Sequence, residues 1–210
     1  MKHVKILALA AVAVAAFMAT LGAGSAAATP TALCKVKETP LGMSKCPDLQ
    51  RWPAGTPIHA NLHTGTKLVF ETPMGKVECA TSTIQATLEQ VTQIPLGAEI
   101  TALTFANCGE YTVTTILKGT LDIEVIDIPF WTHNGTLTFT GTKIGIKKGA
   151  TECEYFPGHG GTLTGGNPHA TIDLVGTLTR FAGTPDCPPG NATWKGAYTV
   201  LKPTPLWVSE

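Results

Sequence analysis

From Pro57 to the C-terminus, apolar and polar residues alternate with a period of two, which is typical of strands with one buried face. Leu68 and Phe70, for example, alternate with Lys67 and Glu71. Turn-forming residues interrupt the pattern about every 8 to 12 residues, as in all-β sandwiches and barrels. The pattern therefore predicts an all-β fold, an antiparallel β-sandwich or partly open barrel of about ten strands.

Local signals mark turns and irregular positions within this sheet. The buried parity reverses at Val125-Ile126, which predicts a bulge or a strand end there. Asn134-Gly135 is the strongest two-residue hairpin signal, and the glycine-rich stretch 157–168 is predicted to be a loop. Residues 83–93 are the only helical candidate beyond the N-terminal region, but their threonine content favours a strand.

The first 28 residues have the pattern of an export signal. A short cationic start is followed by an apolar run from Ile6 to Leu21, and Ala26-Ala27-Ala28 supplies the small residues of a cleavage site. A permanent membrane anchor is the alternative, but this run is at the short limit for spanning about 30 Å of hydrocarbon. Lipidation of Cys34 is a weaker alternative, because Leu33 stands where a small residue is expected.

These patterns divide the chain into three parts. We assign residues 1–28 to a signal peptide that forms a helix, residues 29–57 to a disulfide-stapled N-terminal segment, and residues 58–210 to a β-sandwich domain. The mature protein is predicted to be secreted, and so to be extracellular or in the cell envelope.

Six cysteines remain after the signal peptide, and an even number in an exported chain favours disulfides over metal thiolates. Six cysteines allow fifteen connectivities. Because neighbouring antiparallel strands bring residues that are close in sequence together, we predict sequential pairing. The predicted pairs are Cys34–Cys46, Cys79–Cys108 and Cys153–Cys187.

The charge balance argues against partners that need a strongly charged surface. The whole chain has 15 basic and 15 acidic residues, and Lys2 and Lys5 leave with the signal peptide. The mature chain is therefore faintly acidic, and we expect it to bind neither nucleic acid nor an anionic membrane. After cleavage we expect a monomer with no membrane association.

Residues of catalytic or metal-binding type do not form a recognisable site in the sequence. His59 and His63 share a strand face but lie about 13 Å apart at about 3.3 Å per residue, too far to share one metal ion. Two carboxylate pairs share solvated strand faces, Asp122 with Glu124 and Glu152 with Glu154. The mature chain has no G-x-S-x-G motif. We therefore predict no catalytic residue, no metal and no cofactor.

The strongest binding signal is the aromatic stretch from Pro129 to His133. It directly precedes the predicted Asn134-Gly135 turn, and exposed aromatic rings near a hairpin tip stack on sugars or anchor a partner protein. The alternative is that these rings cover the end of the core. We take Phe130, Trp131 and His133 as the candidate binding residues.

Short motifs are spread over nearly the whole mature chain. They are Leu33-Cys34-Lys35, Pro53-Ala54-Gly55-Thr56, Val77-Glu78-Cys79, Thr104-Phe105-Ala106-Asn107-Cys108, Cys153-Glu154-Tyr155, Gly161-Thr162-Leu163-Thr164-Gly165-Gly166, His169-Ala170-Thr171-Ile172-Asp173, Cys187-Pro188, Ala192-Thr193-Trp194-Lys195-Gly196-Ala197-Tyr198-Thr199-Val200 and Pro203-Thr204-Pro205-Leu206-Trp207-Val208. Together they resemble a family of small exported, disulfide-containing, β-rich bacterial proteins, common in actinobacteria and without an assigned function. The resemblance implies a bacterial, secreted protein and carries over no catalytic residues.

These observations favour an exported, non-enzymatic β-domain with a structural, adhesive or ligand-binding role at the cell envelope or outside it. Its partner is expected to be a cell-wall glycan or another envelope protein. Two alternatives remain open: a secreted hydrolase that acts on envelope glycans or peptides, and a carbohydrate-binding module that uses Phe130 and Trp131.

The mature protein is predicted to begin at Thr29, because residues 26–28 form the best small-residue site after the apolar run. Intact-mass analysis of protein collected outside the cell checks this. A mass that includes residues 1–28 would contradict the export signal.

Overall fold

The computed structural model describes residues 30–37, 46–126 and 133–209, and its all-β architecture confirms the predicted fold class. The expected signal-peptide helix lies outside the described residues. The strands are β1 (Thr31–Cys34), β2 (Pro57–Leu62), β3 (Leu68–Thr72), β4 (Gly75–Cys79), β5 (Thr81–Leu88), β6 (Thr92–Gln93), β7 (Leu96–Ala106), β8 (Tyr111–Leu117), β9 (Thr120–Val125), β10 (Asn134–Thr140), β11 (Lys143–Lys148), β12 (Thr151–Pro157), β13 (His159–Thr164), β14 (Thr171–Gly183), β15 (Ala192–Lys202) and β16 (Trp207–Ser209). A 3₁₀ turn spans Asp48–Gln50. Within the described ranges, no helix is long and apolar enough to cross a membrane.

Eight of these strands close into an antiparallel barrel. Their order around the wall is β15-β2-β5-β7-β9-β10-β13-β14, and β14 pairs with β15 to complete the circle. The order follows the chain, so the barrel is of the up-and-down type. The barrel is closed rather than partly open, because the β14–β15 ladder runs from Thr171↔Thr199 to Leu178↔Ala192.

The wall continues beyond the barrel as a second tier. β14 and β15 extend past the barrel, and the tier has the order β4-β3-β15-β14-β12-β11-β8. β2 and β3 lie end to end beside β15, and β12 and β13 lie end to end beside β14. One interruption separates the two strands of each pair. These interruptions explain why the structure has more strands than the roughly ten that the sequence pattern predicts.

Large side chains from both tiers fill the interior. Trp194, Tyr198, Tyr155 and Phe70 are each at most 1% exposed. The Phe139 and Trp194 rings meet edge-on with 4.9 Å between their centroids. Aromatic residues in such pairs contribute beyond the area they bury, so this cluster links the two tiers through a common core.

A small sheet of order β16-β1-β6 packs against the barrel. β1 is its central strand, and all four of its residues are buried. Leu33 belongs to the main core, and the Thr31 hydroxyl accepts a hydrogen bond from the Val125 amide at 3.0 Å. On the opposite face, Cys34 is bonded to Cys46. The segment that precedes the barrel is therefore tied to both the barrel and the C-terminal strand.

The disulfides have the sequential order that strand adjacency predicts. The structure joins Cys34 to Cys46, Cys79 to Cys108, and Cys153 to Cys187. The chain-entropy model assigns each loop a contribution on the order of 3 to 4 kcal/mol, less any strain or residual structure in the unfolded chain. Three disulfides indicate an oxidising, extracytoplasmic environment.

The predicted hairpin at Asn134-Gly135 is wrong, because both residues lie in β10. Gly135 is paired with Val125 on one side and with Leu163 on the other. A Cβ on Gly135 would lie 3.2 Å from Val208 Cγ1, so the glycine serves close packing in the sheet rather than a turn. The asparagine–glycine dipeptide is a turn signal only where the surrounding chain reverses.

The predicted loop over residues 157–168 is also largely wrong, because β12 ends at Pro157 and β13 occupies His159–Thr164. Gly161 pairs with Leu174 at a φ of +141°, and a Cβ there would overlap the Asp173 carbonyl oxygen. The glycines in this stretch therefore allow neighbouring strands to approach closely. Two other predictions are confirmed: β9 ends at Val125, and β5 is a strand.

We expect Ser82→Ala to destabilise the protein more than Tyr198→Phe. The Tyr198 hydroxyl donates to Ser82 Oγ at 2.8 Å, and Ser82 Oγ donates to the Thr104 carbonyl at 2.7 Å. Tyr198→Phe removes one net hydrogen bond, about 1 kcal/mol, whereas Ser82→Ala leaves a buried hydroxyl unsatisfied, about 1 to 3 kcal/mol. Urea unfolding measures both values. The double variant should lose less than the sum of the two, and strict additivity would contradict the coupling.

Candidate functional site

Two of the three predicted binding residues, Phe130 and Trp131, lie outside the described residues. The third, His133, is 7% exposed. Its ring meets the Trp207 ring edge-on with 6.0 Å between the centroids, and its carbonyl accepts a hydrogen bond from the Val208 amide. Burial, followed by the charge of Lys37, lowers the pKa of His133. The imidazole therefore packs against β16 and does not face solvent.

The outer wall carries a groove where β14, β15 and β3 lie side by side. One rung of the sheet crosses its floor: Val175 is opposite Lys195, and Lys195 is opposite Val69. Two adjoining concavities of about 680 and 380 Å³ share these three residues. We call this surface the outer groove. Val175 is 63% exposed, and it lies on the same face of β14 as the polar Asp173 and Thr177.

A bulge in the sheet forms one wall of the outer groove. β2 ends at Leu62 and β3 begins at Leu68, while β15 passes both strands without a break. Between the pairs Leu62↔Tyr198 and Val69↔Lys195, the six residues 63–68 therefore stand opposite only Gly196 and Ala197. Extra residues in one strand of a pair bend it and redirect its side chains. Here the bulge lines the groove beside the Val175 rung.

Ion pairs fix the charged rim of the outer groove next to this bulge. Glu78 Oε2 lies 2.6 Å from Lys67 Nζ, and Glu78 Oε1 lies 2.6 Å from Lys76 Nζ. The hydrogen bonds from Lys67 and then from Lys76 lower the pKa of Glu78 to about 2. The carboxylate is thus ionised at neutral pH and holds both lysines on the same side of the sheet.

Asp173 and Glu71, the acidic residues that line the two concavities, are too far apart to act as a carboxylate pair. Asp173 and Glu71 are separated by two strand spacings and about four residues, which corresponds to roughly 16 Å between their backbones. Glycosidases place their two carboxyl groups about 5 to 10 Å apart. The short Asp173 side chain does not close this distance, so these two residues do not form a glycosidase pair.

The other polar residues singled out by the sequence make local surface contacts. Asp122 accepts a hydrogen bond from Thr140 at 2.5 Å, and Glu154 lies 3.3 Å from Lys143. His63 Nδ1 lies 2.9 Å from Thr199 Oγ1. In the part of the chain that the structure describes, no three His, Cys, Asp or Glu side chains are placed to hold a metal ion.

The sequence prediction missed the outer groove. One signal for the groove was available: Val175 shares its parity with Thr171, Asp173 and Thr177, so it interrupts this polar series on the outer face of β14, as the exposed Phe181 does further along the strand. That signal marks one residue and not a groove. Val69 and Lys195 are far from Val175 in sequence and meet it only through strand pairing.

No protein-family model matches the chain, and no curated protein or solved structure has significant similarity to it. The family resemblance carried by the sequence motifs therefore stays a prediction.

We expect the stability of the protein to fall on acidification because of His133. Its pKa is lowered in the folded state from an ordinary 6.5, so the unfolded chain binds the proton more readily. The associated stability is complete above pH 6.5 and is lost as the pH falls toward the folded-state pKa. Urea titrations at several pH values measure this, and His133→Asn, which tolerates the positive φ of 53°, should flatten the profile.

The exposed His63 provides the control, because His63→Asn should leave the pH profile like that of the wild type. Equal flattening by both substitutions would show that burial of His133 is not the cause.

Proposed function

We propose that this chain is an exported, non-enzymatic binding domain that acts at the cell envelope or outside it, and that the outer groove holds its ligand. The groove is the observation that carries the proposal. Its two concavities, about 680 and 380 Å³, are of the size that accommodates small or extended ligands. Val175 and Val69 supply apolar contacts on its floor, one on each side of Lys195.

The export signal pattern and the three disulfides support the extracytoplasmic part of the proposal. Secretion is the inferred route to that environment. The faintly acidic mature chain is compatible with free diffusion outside the cell, since it has no net attraction to anionic lipid or nucleic acid.

A cell-wall glycan is the ligand class that the groove lining favours. Thr177 and Thr193 form the rung beside Val175 and Lys195, and threonine hydroxyls both donate and accept hydrogen bonds, as sugar hydroxyls do. Asp173 adds an acceptor and Lys195 a donor. The valine side chains offer apolar contact to the C–H faces of a sugar ring.

We expect Lys195→Ala and Val175→Ser each to weaken retention on insoluble cell-wall glycan and on a glycan array by about five- to tenfold, since each removes a contact worth roughly 1 to 1.5 kcal/mol. Leu201→Ser is the matched control, because Leu201 is exposed on β15, the strand that carries Lys195, but does not line the outer groove. Thermal unfolding of all three variants should be unchanged within a few degrees, as expected for surface positions.

The same assay separates the competing readings. Loss of binding in Phe130→Ala/Trp131→Ala, with full binding in the groove variants, would transfer the site to the aromatic stretch and overturn the groove. Release of soluble sugar from the cell wall by the wild-type protein would favour the hydrolase alternative.

A further inference from the structure

Phe181 presents an aromatic ring on the outer face of β14, the strand that also carries Val175. Its side chain is 58% exposed, and it is the only exposed aromatic residue in the part of the chain that the structure describes. The pairing of β14 with β12 passes from Arg180↔Tyr155 to Ala182↔Glu154, so Phe181 is the extra, unpaired residue of a β-bulge. Bulges re-aim single side chains, and here the side chain is a large apolar one in contact with water.

Two side chains hold the Phe181 ring in place from the protein side. Lys143 Nζ lies over the ring, 4.2 Å from its centroid, and the Phe156 ring meets it edge-on with 4.8 Å between the centroids. The Lys143 side chain is only 14% exposed, and Glu154 lies 3.3 Å from its ammonium group. Because the lysine is mostly buried and the phenylalanine mostly exposed, the ring covers the lysine and turns its opposite face to solvent.

An aromatic face that is fixed and open to solvent is a stacking surface. The apolar C–H face of a sugar packs against such a ring while the sugar hydroxyls stay in water. Since Lys143 and Phe156 already hold the ring, little conformational freedom is lost when a ligand stacks on it. Glu154 balances the charge of Lys143, so the surface suits an uncharged ligand.

The outer face of β14 connects this ring to the outer groove. Val175, Thr177, Thr179 and Phe181 alternate along the strand, and all four are exposed. At about 3.3 Å per residue, Val175 and Phe181 are roughly 20 Å apart. A single sugar ring does not span this distance, whereas a polysaccharide chain that lies along β14 does. The two threonines between them offer hydroxyls that both donate and accept hydrogen bonds.

We propose that Phe181 is a second contact site for the glycan of the outer groove, and that the domain recognises a polysaccharide chain along β14 rather than a terminal sugar. This inference rests on the proposed function. Once one part of a polymer occupies the groove, its contact with Phe181 is intramolecular, so affinity rises when the ligand is long enough to reach both sites. A ligand too short to reach the ring gains nothing from it.

A protein partner fits this surface less well than a polysaccharide. Stable protein interfaces bury about 800 Å² on each partner and have an apolar centre. The neighbours of Phe181 on the outer face include Thr179 and Glu154, and the exposed Asn191 accepts a hydrogen bond from the Arg180 amide. A single ring among polar neighbours is sufficient for stacking on one sugar unit.

The test measures the binding of oligosaccharides of increasing length, released from the cell wall, by isothermal titration calorimetry. We expect Phe181→Ala to bind the shortest fragments like the wild type, and to bind long fragments roughly two- to tenfold more weakly, the range for one aromatic contact. Lys195→Ala should weaken binding at every length. Leu201→Ala is the matched control, because it removes an exposed apolar side chain outside the outer groove, and it should bind like the wild type.

Phe181→Trp gives a direct readout at the ring. It keeps an aromatic plane, so affinity for long fragments should be retained. Long fragments should shift its fluorescence emission to shorter wavelengths relative to the wild type, and the shortest fragments should not. Circular dichroism checks that Phe181→Ala remains folded, as expected because Lys143 keeps its partner Glu154.

The outcomes distinguish this inference from the proposed function. If Phe181→Ala binds long fragments as tightly as the wild type while Lys195→Ala binds them weakly, the second contact is overturned and the groove stands. Equal weakening by Phe181→Ala at every length would also overturn it, because the ring would then belong to a site for short ligands. Unchanged glycan binding with loss of a co-purifying envelope protein would assign the ring to a protein partner. A wild-type protein that binds no fragment would overturn both proposals.

Discussion

The ladder between β14 and β15 is the contact on which the rest of the structure depends. It comprises eight consecutive residue pairs and is shared by both tiers of the wall. At one end of the ladder, β13 pairs with the outer side of β14 and β2 with the outer side of β15, which closes the barrel. At the other end, β12 and β3 take these two positions and form the second tier. Because a closed barrel has no free edge, this single ladder removes the edges that an open sheet of the same strands would leave exposed.

The same ladder separates the core from the candidate binding surface. Successive side chains of a strand point to opposite faces, so Trp194 and Tyr198 enter the core while Lys195 points outward. The outer groove therefore stands on a rigid base whose inner side is filled by aromatic rings. A site built on packed strands keeps its geometry better than a site on loops, and this supports a binding role for the Val175 rung.

Closure of the wall is incomplete at one place, and covalent bonding offsets it there. β8 forms its backbone ladder with β11 and not with β7. The β7–β8 hairpin therefore has backbone hydrogen bonds at its two ends, while the middles of the two strands are not paired. Cys79–Cys108 crosses between the two edge strands at this point. An oxidising environment, which the three disulfides indicate, maintains this covalent link between the two edges.

The sequence by itself determined the all-β class, the parity of most strands, the end of β9 and the pairing of the cysteines. These features are local: a period of two is read along one strand, and sequential disulfides follow when chain neighbours are also neighbours in space. Only the tertiary structure decided that the sheet closes, that Asn134-Gly135 lies inside a strand, and that Val69, Val175 and Lys195 form one surface. Those outcomes depend on contacts between residues far apart in the chain, and alternation along a strand carries no information about which distant strand will lie beside it.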